Sequence, residues 1–141
     1  MKIILGGALG RMGHEVTLAV QSSGDTIVCG VDVAYAGQDA AYPIVSAFEQ
    51  VDMPADVLID FSRPDALPEL LALATRRGLP AVLCATGYTD VELALVQDAA
   101  RQIPILQSAN MSLGVNVLRE LCAMAARTLE GFDVEIVETH H

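Results

Sequence analysis

The feature that most constrains this chain is a glycine-rich turn. Residues 6–13 read Gly6-Gly7-Ala8-Leu9-Gly10-Arg11-Met12-Gly13 and follow the strand-like opening Met1-Lys2-Ile3-Ile4-Leu5. An apolar strand, a glycine turn and a helix in direct succession are the local form of a dinucleotide-binding unit. Its three special positions fall on Ala8, Gly10 and Gly13, with Gly7 just before them. At Gly10 the missing Cβ lets a pyrophosphate approach the backbone. At Gly13 it lets the helix pack closely on the sheet. Amides at the helix start then face the phosphates, helped by the positive end of the helix dipole. A tight turn without a ligand is the plainer alternative.

The rest of the chain alternates in the same way. Candidate strands lie at residues 2–5, 26–31, 57–61, 81–84, 105–107 and 134–137. Several are continuous apolar runs, which suggests burial on both faces of a parallel sheet. Helices are predicted over 10–21, 65–77, 90–101 and 115–129, with a short one near 47–51 in the irregular stretch 34–54. Gly78-Leu79-Pro80 supplies a stop for the second helix, Thr89 or Asp90 a cap for the third, and Gly131 a stop for the fourth. The expected fold is α/β, a Rossmann-type doubly wound parallel sheet. Ligands in such sheets sit beyond the carboxyl ends of the strands.

Composition narrows the function classes. The chain has 141 residues, 52% of them hydrophobic and 18% charged, enough for a real core. Eight basic against 18 acidic residues give a net charge of −10. That balance argues against nucleic-acid binding, which needs a basic face. No run is long and apolar enough to span a membrane, and the start lacks the pattern of a signal peptide. Cys29, Cys84 and Cys122 lie far apart, each in an apolar setting. Neither a disulfide framework nor a metal site is expected from them, and the reading is a reduced, cytoplasmic protein.

Asp32 ends the second strand about 20 residues beyond the glycine turn, where a carboxylate can bind ribose hydroxyls. A solvated strand end is the alternative. The same carboxylate repels a 2′-phosphate, and Val33 beside it offers no cation to pair with one. NADH is therefore the preferred cofactor, with NADPH admitted through Arg11. Three further loops leave strand ends: Asp60-Phe61-Ser62-Arg63-Pro64, Ala85-Thr86-Gly87-Tyr88, and residues 108–116. Their small residues, hydroxyls and amides suit a flat polar ring such as nicotinamide. Taken singly, each also reads as ordinary turn or cap chemistry.

With these pieces in place the chain resembles the bacterial dihydrodipicolinate reductases, also called 4-hydroxy-tetrahydrodipicolinate reductases, of lysine and diaminopimelate synthesis. The resemblance runs the whole length. It rests on Gly7-Ala8-Leu9-Gly10-Arg11-Met12-Gly13, Asp60-Phe61-Ser62-Arg63-Pro64, Ala85-Thr86-Gly87-Tyr88, Ala109-Asn110-Met111-Ser112-Leu113-Gly114-Val115-Asn116 and the closing Glu138-Thr139-His140-His141. It implies that Gly7, Ala8, Leu9, Gly10, Arg11 and Met12 cradle the pyrophosphate and that Asp32 takes the ribose. It further implies that Cys84, Ala85 and Thr86, with Ser108, Ala109, Asn110 and Met111, line the nicotinamide end. Where the family usually has glycine and threonine, this chain has Cys84 and Ala85, so a threonine hydroxyl contact at 85 is lost.

From the residues alone, His140 and His141 read as a frayed or tag-like end. The resemblance instead makes His140 the proton donor and His141 a substrate contact. It also implies a continuation carrying a lysine segment, a Ser-Gly-Thr loop and the sheet of a homotetramer, none of which is in this chain. One lysine and seven arginines, of which Arg11 and Arg63 lie in the ligand-facing loops, are few for a dicarboxylate substrate. Residues 1–133 are thus expected to form the cofactor-binding domain and 134–141 the start of a substrate domain. The parent reaction is hydride transfer from NAD(P)H to a cyclic unsaturated dicarboxylate, giving tetrahydrodipicolinate. The isolated chain is expected to turn over slowly or not at all. The rivals are another NAD(P)-dependent dehydrogenase sharing this half-fold, a non-catalytic NADH-binding or sensing module, and a purely structural domain.

Overall fold

A computed structural model describes residues 1–137. The chain divides into two compact units, Met1–Ala109 and Asn110–His141. In the first unit, β1 (Lys2–Gly6), α1 (Arg11–Ser23), β2 (Thr26–Val31), β3 (Ile44–Val45), β4 (Val57–Asp60), α2 (Leu67–Arg77), β5 (Ala81–Leu83), α3 (Asp90–Ala99) and β6 (Ile105–Gln107) follow in order. The six strands form one parallel sheet ordered β3-β2-β1-β4-β5-β6. The chain winds outward from β1 to β3, then crosses back to β4 and winds the other way. That reversal between β1 and β4 opens a crevice at their carboxyl ends, as the expected doubly wound fold requires.

Both faces of the sheet are buried, which explains the continuous apolar runs. Along β1, Ile3 and Leu5 join Ala8, Ile27 and Ile44 on one face. Ile4 points the other way, into a larger cluster with Leu58, Leu67, Leu70, Leu73, Leu83, Val96 and Ile103. Each fully buried leucine or isoleucine contributes about 1.5–3 kcal/mol relative to exposure. Local signals set the helix ends. Gly78 adopts φ 65° and its N–H closes on the Ala74 and Thr75 carbonyls, the left-handed stop expected after α2. Thr89 caps α3 in a reciprocal box: Thr89 Oγ1 accepts from Glu92 N at 3.3 Å, and Thr89 N donates to Glu92 Oε2 at 2.7 Å.

The structure departs from the sequence reading in four places. β3 was not foreseen; it is two residues long and exists because Gly30 N and Asp32 N donate to the Pro43 and Val45 carbonyls. The helix placed from residue 65 begins as a 3-10 turn, Pro64–Ala66, before α2 proper. Residues 134–137 are not a strand: they are exposed and pair with no other described segment, and a lone strand has no partner for its amides. Cys29 and Cys84 are buried free thiols as expected, but Cys122 is exposed. The irregular stretch before β4 is pinned from α2, where Arg77 donates to the Met53 carbonyl at 2.8 Å and also to the Val51 carbonyl. In the second unit, α4 (Leu113–Thr128) has no buried residue.

Candidate functional site

The glycine turn carries the site. Gly7 sits at φ 71°, and a Cβ there would stand 2.6 Å from the Phe61 carbonyl oxygen. Gly13 is equally constrained: a Cβ would come within 2.3 Å of the Gly7 oxygen and 2.6 Å of the Ala8 oxygen. This is the close helix packing that the sequence pattern predicts. Gly10 differs. A Cβ there would meet one atom, the Gly7 oxygen at 3.2 Å, so its Cα faces open space.

The turn's amides divide into two groups. Gly7 N and Ala8 N both donate to the Val31 carbonyl, at 2.9 and 3.3 Å, and Gly10 N donates to the Gly7 carbonyl at 3.1 Å. Leu9 N donates to Asp32 Oδ2 at 2.9 Å. Those four are spent on holding the turn. Gly10 is the N-cap of α1, with no side-chain cap and no acid in the first turn. The amides of Arg11, Met12 and Gly13 find no acceptor among the described residues. They are the donors left at the positive end of the helix, where an anion binds most readily. The loop from Gly7 to Met12 is expected to form the cradle; the open donors lie at its last two positions and at Gly13 just beyond.

Asp32 does two things at once. Its Oδ2 accepts from Leu9 N and its Oδ1 accepts from Ala34 N, each at 2.9 Å. A carboxylate has about four lone-pair sites, so one remains on each oxygen for a further donor. Two amide bonds also fix its orientation.

Gly7, Gly10 and Asp32 line a cleft of about 380 Å³ at the β1/β4 crossing point. One wall is Val33, Ser46, Ala47 and Phe48; the other is Phe61, Ser62, Arg63, Asp65 and Glu69. Ser46 to Phe48 were missed as site residues, because nothing local marks the short β3 that carries them to the cleft. Arg63 and Asp65 are exposed and form an ion pair at 3.2 Å. Ala8 is buried behind the turn, while Leu9 and Met12 are partly exposed and Arg11 is exposed.

Further along the same carboxyl edge, Cys84 and Ala85 follow β5 and are buried, and Thr86 is exposed. Burial, with the Asp60 carboxylate nearby, pushes the Cys84 thiol up to about 11, so it stays protonated and unreactive at neutral pH. Ser108 and Ala109 follow β6, with Ser108 N donating to the Leu83 carbonyl at 3.0 Å. Asn110 and Met111 open the second unit. There Asn110 Oδ1 accepts from Ser112 N at 2.8 Å, Ser112 Oγ accepts from Val115 N at 3.4 Å, and Asn116 Nδ2 donates to the Ser112 carbonyl at 2.9 Å. The Asn-Met-Ser-x-Gly-Val-Asn motif is, within this unit, the N-terminal cap of α4. His140 and His141 lie outside the described residues. Among the described residues no cluster could hold a metal ion, and no helix is long and apolar enough to cross a membrane.

Residues 1–111 match the family described as dihydrodipicolinate reductase, N-terminus. The chain is 44% identical to a 4-hydroxy-tetrahydrodipicolinate reductase of Caldanaerobacter subterraneus subsp. tengcongensis, over 100% of this chain and 56% of that protein. It is 39% identical to the enzyme of that name in Clostridium novyi, over 99% of this chain and 56% of the relative. It thus spans just over half the length of these curated relatives. Among solved structures, a dipicolinate-bound dihydrodipicolinate reductase from Paenisporosarcina sp. TG-14 superposes with a TM-score of 0.75 at 20% identity, covering 89% of this chain and 53% of that one. That likeness bears on the fold. From the sequence match and the glycine-turn geometry together, the chain belongs to the dihydrodipicolinate reductase N-terminal family.

Proposed function

We propose that the cleft at the carboxyl ends of β1 and β4 binds a nicotinamide adenine dinucleotide, and that the chain is the cofactor-binding half of a 4-hydroxy-tetrahydrodipicolinate reductase. The observation that carries this reading is the set of open amides in the first turn of α1, from Arg11 to Gly13, beside a bare Gly10 Cα and next to the tethered Asp32 carboxylate. The amides and the α1 dipole suit a pyrophosphate, with the exposed Arg11 guanidinium as its counter-charge. The two free lone-pair sites of Asp32 suit the paired hydroxyls of the adenosine ribose. The cleft is lined by Asp32, Asp65 and Glu69 against the single cation Arg63, itself paired with Asp65. That acidic lining disfavours a 2′-phosphate and supports NADH over NADPH.

When bound, the cofactor supplies the hydride. The chain's own task is orientation, which removes most of the entropic barrier to such a transfer. Cys84, Ala85, Thr86, Ser108, Ala109, Asn110 and Met111 are assigned to the nicotinamide end, His140 to proton donation and His141 to the dicarboxylate substrate. Residues 1–133 are assigned to the cofactor domain and 134–141 to the start of the substrate domain. The working enzyme on this reading is a cytoplasmic homotetramer, and the isolated chain binds NADH with little or no turnover. Titration with NADH and NADPH, with and without pyridine-2,6-dicarboxylate, tests it. NADH binding that does not enhance binding of the dicarboxylate is the expected result. Absence of binding by either dinucleotide would remove the proposal.

A further inference from the structure

Asp60 is the one buried carboxylate among the described residues, 1% exposed at the end of β4. It lies in register with Gly6 of β1 and Leu83 of β5, at the point where the sheet changes winding direction. Its Oδ1 accepts from Ser62 N at 3.1 Å. Its carboxyl also fills the space a side chain at Gly6 would need, since a Cβ there would stand 2.2 Å from Oδ1. The backbone continues the same junction. Phe61 N donates to the Gly6 carbonyl at 3.0 Å, and Cys84 N donates to the Asp60 carbonyl at 2.9 Å. One residue therefore touches the glycine turn, the Phe61–Ser62 wall of the cleft and the loop after β5.

We propose that Asp60 is a positioning residue: its carboxyl locks the Phe61–Ser62 wall to the Gly6–Gly7 turn and so sets where the Arg11 and Met12 amides stand relative to that wall. This rests on the reading of the cleft as a dinucleotide site. Among the described residues no cation acts on the Asp60 carboxyl. The titratable groups there are the Cys84 thiol and the Tyr88 phenol, each made harder to ionise by the Asp60 charge, with Glu92 beyond Tyr88. Burial pushes the Asp60 carboxyl above the usual range, and the Ser62 amide and hydroxyl oppose that rise. The Ser62 hydroxyl is near enough to favour the carboxylate, yet neither it nor the Tyr88 hydroxyl completes a hydrogen bond of normal geometry. Burial thus shifts Asp60 toward the neutral acid relative to a free carboxyl. That form keeps Oδ1 as an acceptor for Ser62 N and adds one O–H donor beside the Ser62 hydroxyl, which lacks a partner. An apolar residue fills the same space without either function.

The test compares the chain with D60N and D60L. NADH dissociation constants are measured by nicotinamide fluorescence from about pH 5 to about pH 9, a span covering a raised carboxyl. Amide hydrogen exchange at Ser62 is followed in parallel without cofactor. D60N should bind NADH as the parent does at the low end of that span, and should lose any weakening of the parent's affinity as pH rises. D60L should bind about tenfold more weakly and exchange the Ser62 amide about tenfold faster, the scale of one lost hydrogen bond. Parent-like binding and Ser62 protection in folded D60L would reduce Asp60 to a space-filler and overturn the proposal. Weak binding by folded D60N would overturn it too, by showing that the charge itself is used. If D60L does not fold, D60A, which also lacks the acceptor for Ser62 N, is read in its place by the same two measurements. If the parent binds no NADH, the reading of the cleft has failed, and Ser62 exchange in D60N and D60L alone decides whether Asp60 locks the wall.

Discussion

Gly10 and Gly13 are three residues apart in one turn, yet their surroundings predict opposite failures on substitution by alanine. At Gly13 the new methyl would stand 2.3 Å from the Gly7 oxygen and 2.6 Å from the Ala8 oxygen, both backbone atoms. Normal contact requires the turn to retreat by about 1 Å, and forced overpacking of this kind costs about 1–3 kcal/mol. Alanine returns up to about 1 kcal/mol as a better helix former. With two backbone atoms in the way the upper end applies, so the net loss for G13A is about 2 kcal/mol, with weakened NADH binding as α1 and its amides are pushed off the turn. At Gly10 the methyl meets the Gly7 oxygen alone, at 3.2 Å, and the backbone (φ −75°, ψ 169°) suits any residue. G10A should lose about 0.7 kcal/mol, the usual difference between glycine and alanine at a cap. Its methyl nevertheless occupies the approach to the Arg11 and Met12 amides. Affinity for NADH should fall at least about tenfold, or about 1.4 kcal/mol. Urea unfolding and NADH titration of both variants separate the two effects. Parent-like affinity in G10A, or parent-like stability in G13A, would refute the reasoning.

Four other outcomes follow from the same geometry. D32A leaves Leu9 N and Ala34 N without their carboxylate and should cost about 1–2 kcal/mol in urea unfolding, the lower part of the range for charged hydrogen bonds because Asp32 is half-exposed. V33R places a cation beside the ribose position, and the NADPH-to-NADH affinity ratio should rise about tenfold, as one phosphate pairing allows. T89A breaks the capping box of α3 and should lower unfolding free energy by about 1 kcal/mol. Asp60 has a raised folded-state pKa, so its contribution is intact below about pH 3.9, the unfolded value, and declines as pH rises through the folded value. The parent's stability relative to D60N should therefore fall over that window; a difference independent of pH would contradict the assignment.

Much of the fold was legible because burial on both faces writes itself into the sequence. Ile3-Ile4-Leu5, Val57-Leu58-Ile59 and Ala81-Val82-Leu83 are apolar throughout, and each became a strand of the parallel sheet. Capping at Thr89 and the stop at Gly78 were legible for local reasons. Elements set by distant partners were not. Ile44–Val45 is a strand because Gly30 and Asp32 need acceptors for their amides, which no window around residue 44 reveals. Val134 to Val137 has strand composition and no partner among the described residues. The glycine turn shows the same division. Its glycine pattern can be read from spacing, but which amides stay open depends on the Val31 carbonyl and Asp32, about 20 residues away. Asp60 sits in a loop motif whose sequence does not mark it as a site residue. Its burial follows from register with a glycine on a neighbouring strand, and no pattern within the loop carries that.

The tether between Leu9 and Asp32 bears on any attempt to redesign coenzyme choice. The acid proposed to read the sugar is also a strut of the loop proposed to seat the diphosphate. Exchanging it would alter recognition and scaffold together, and a variant selected for the phosphorylated coenzyme would start with a handicap unrelated to the extra phosphate. Position 33, whose side chain is 81% exposed and carries no such duty, is the place where preference can change while the loop keeps its shape.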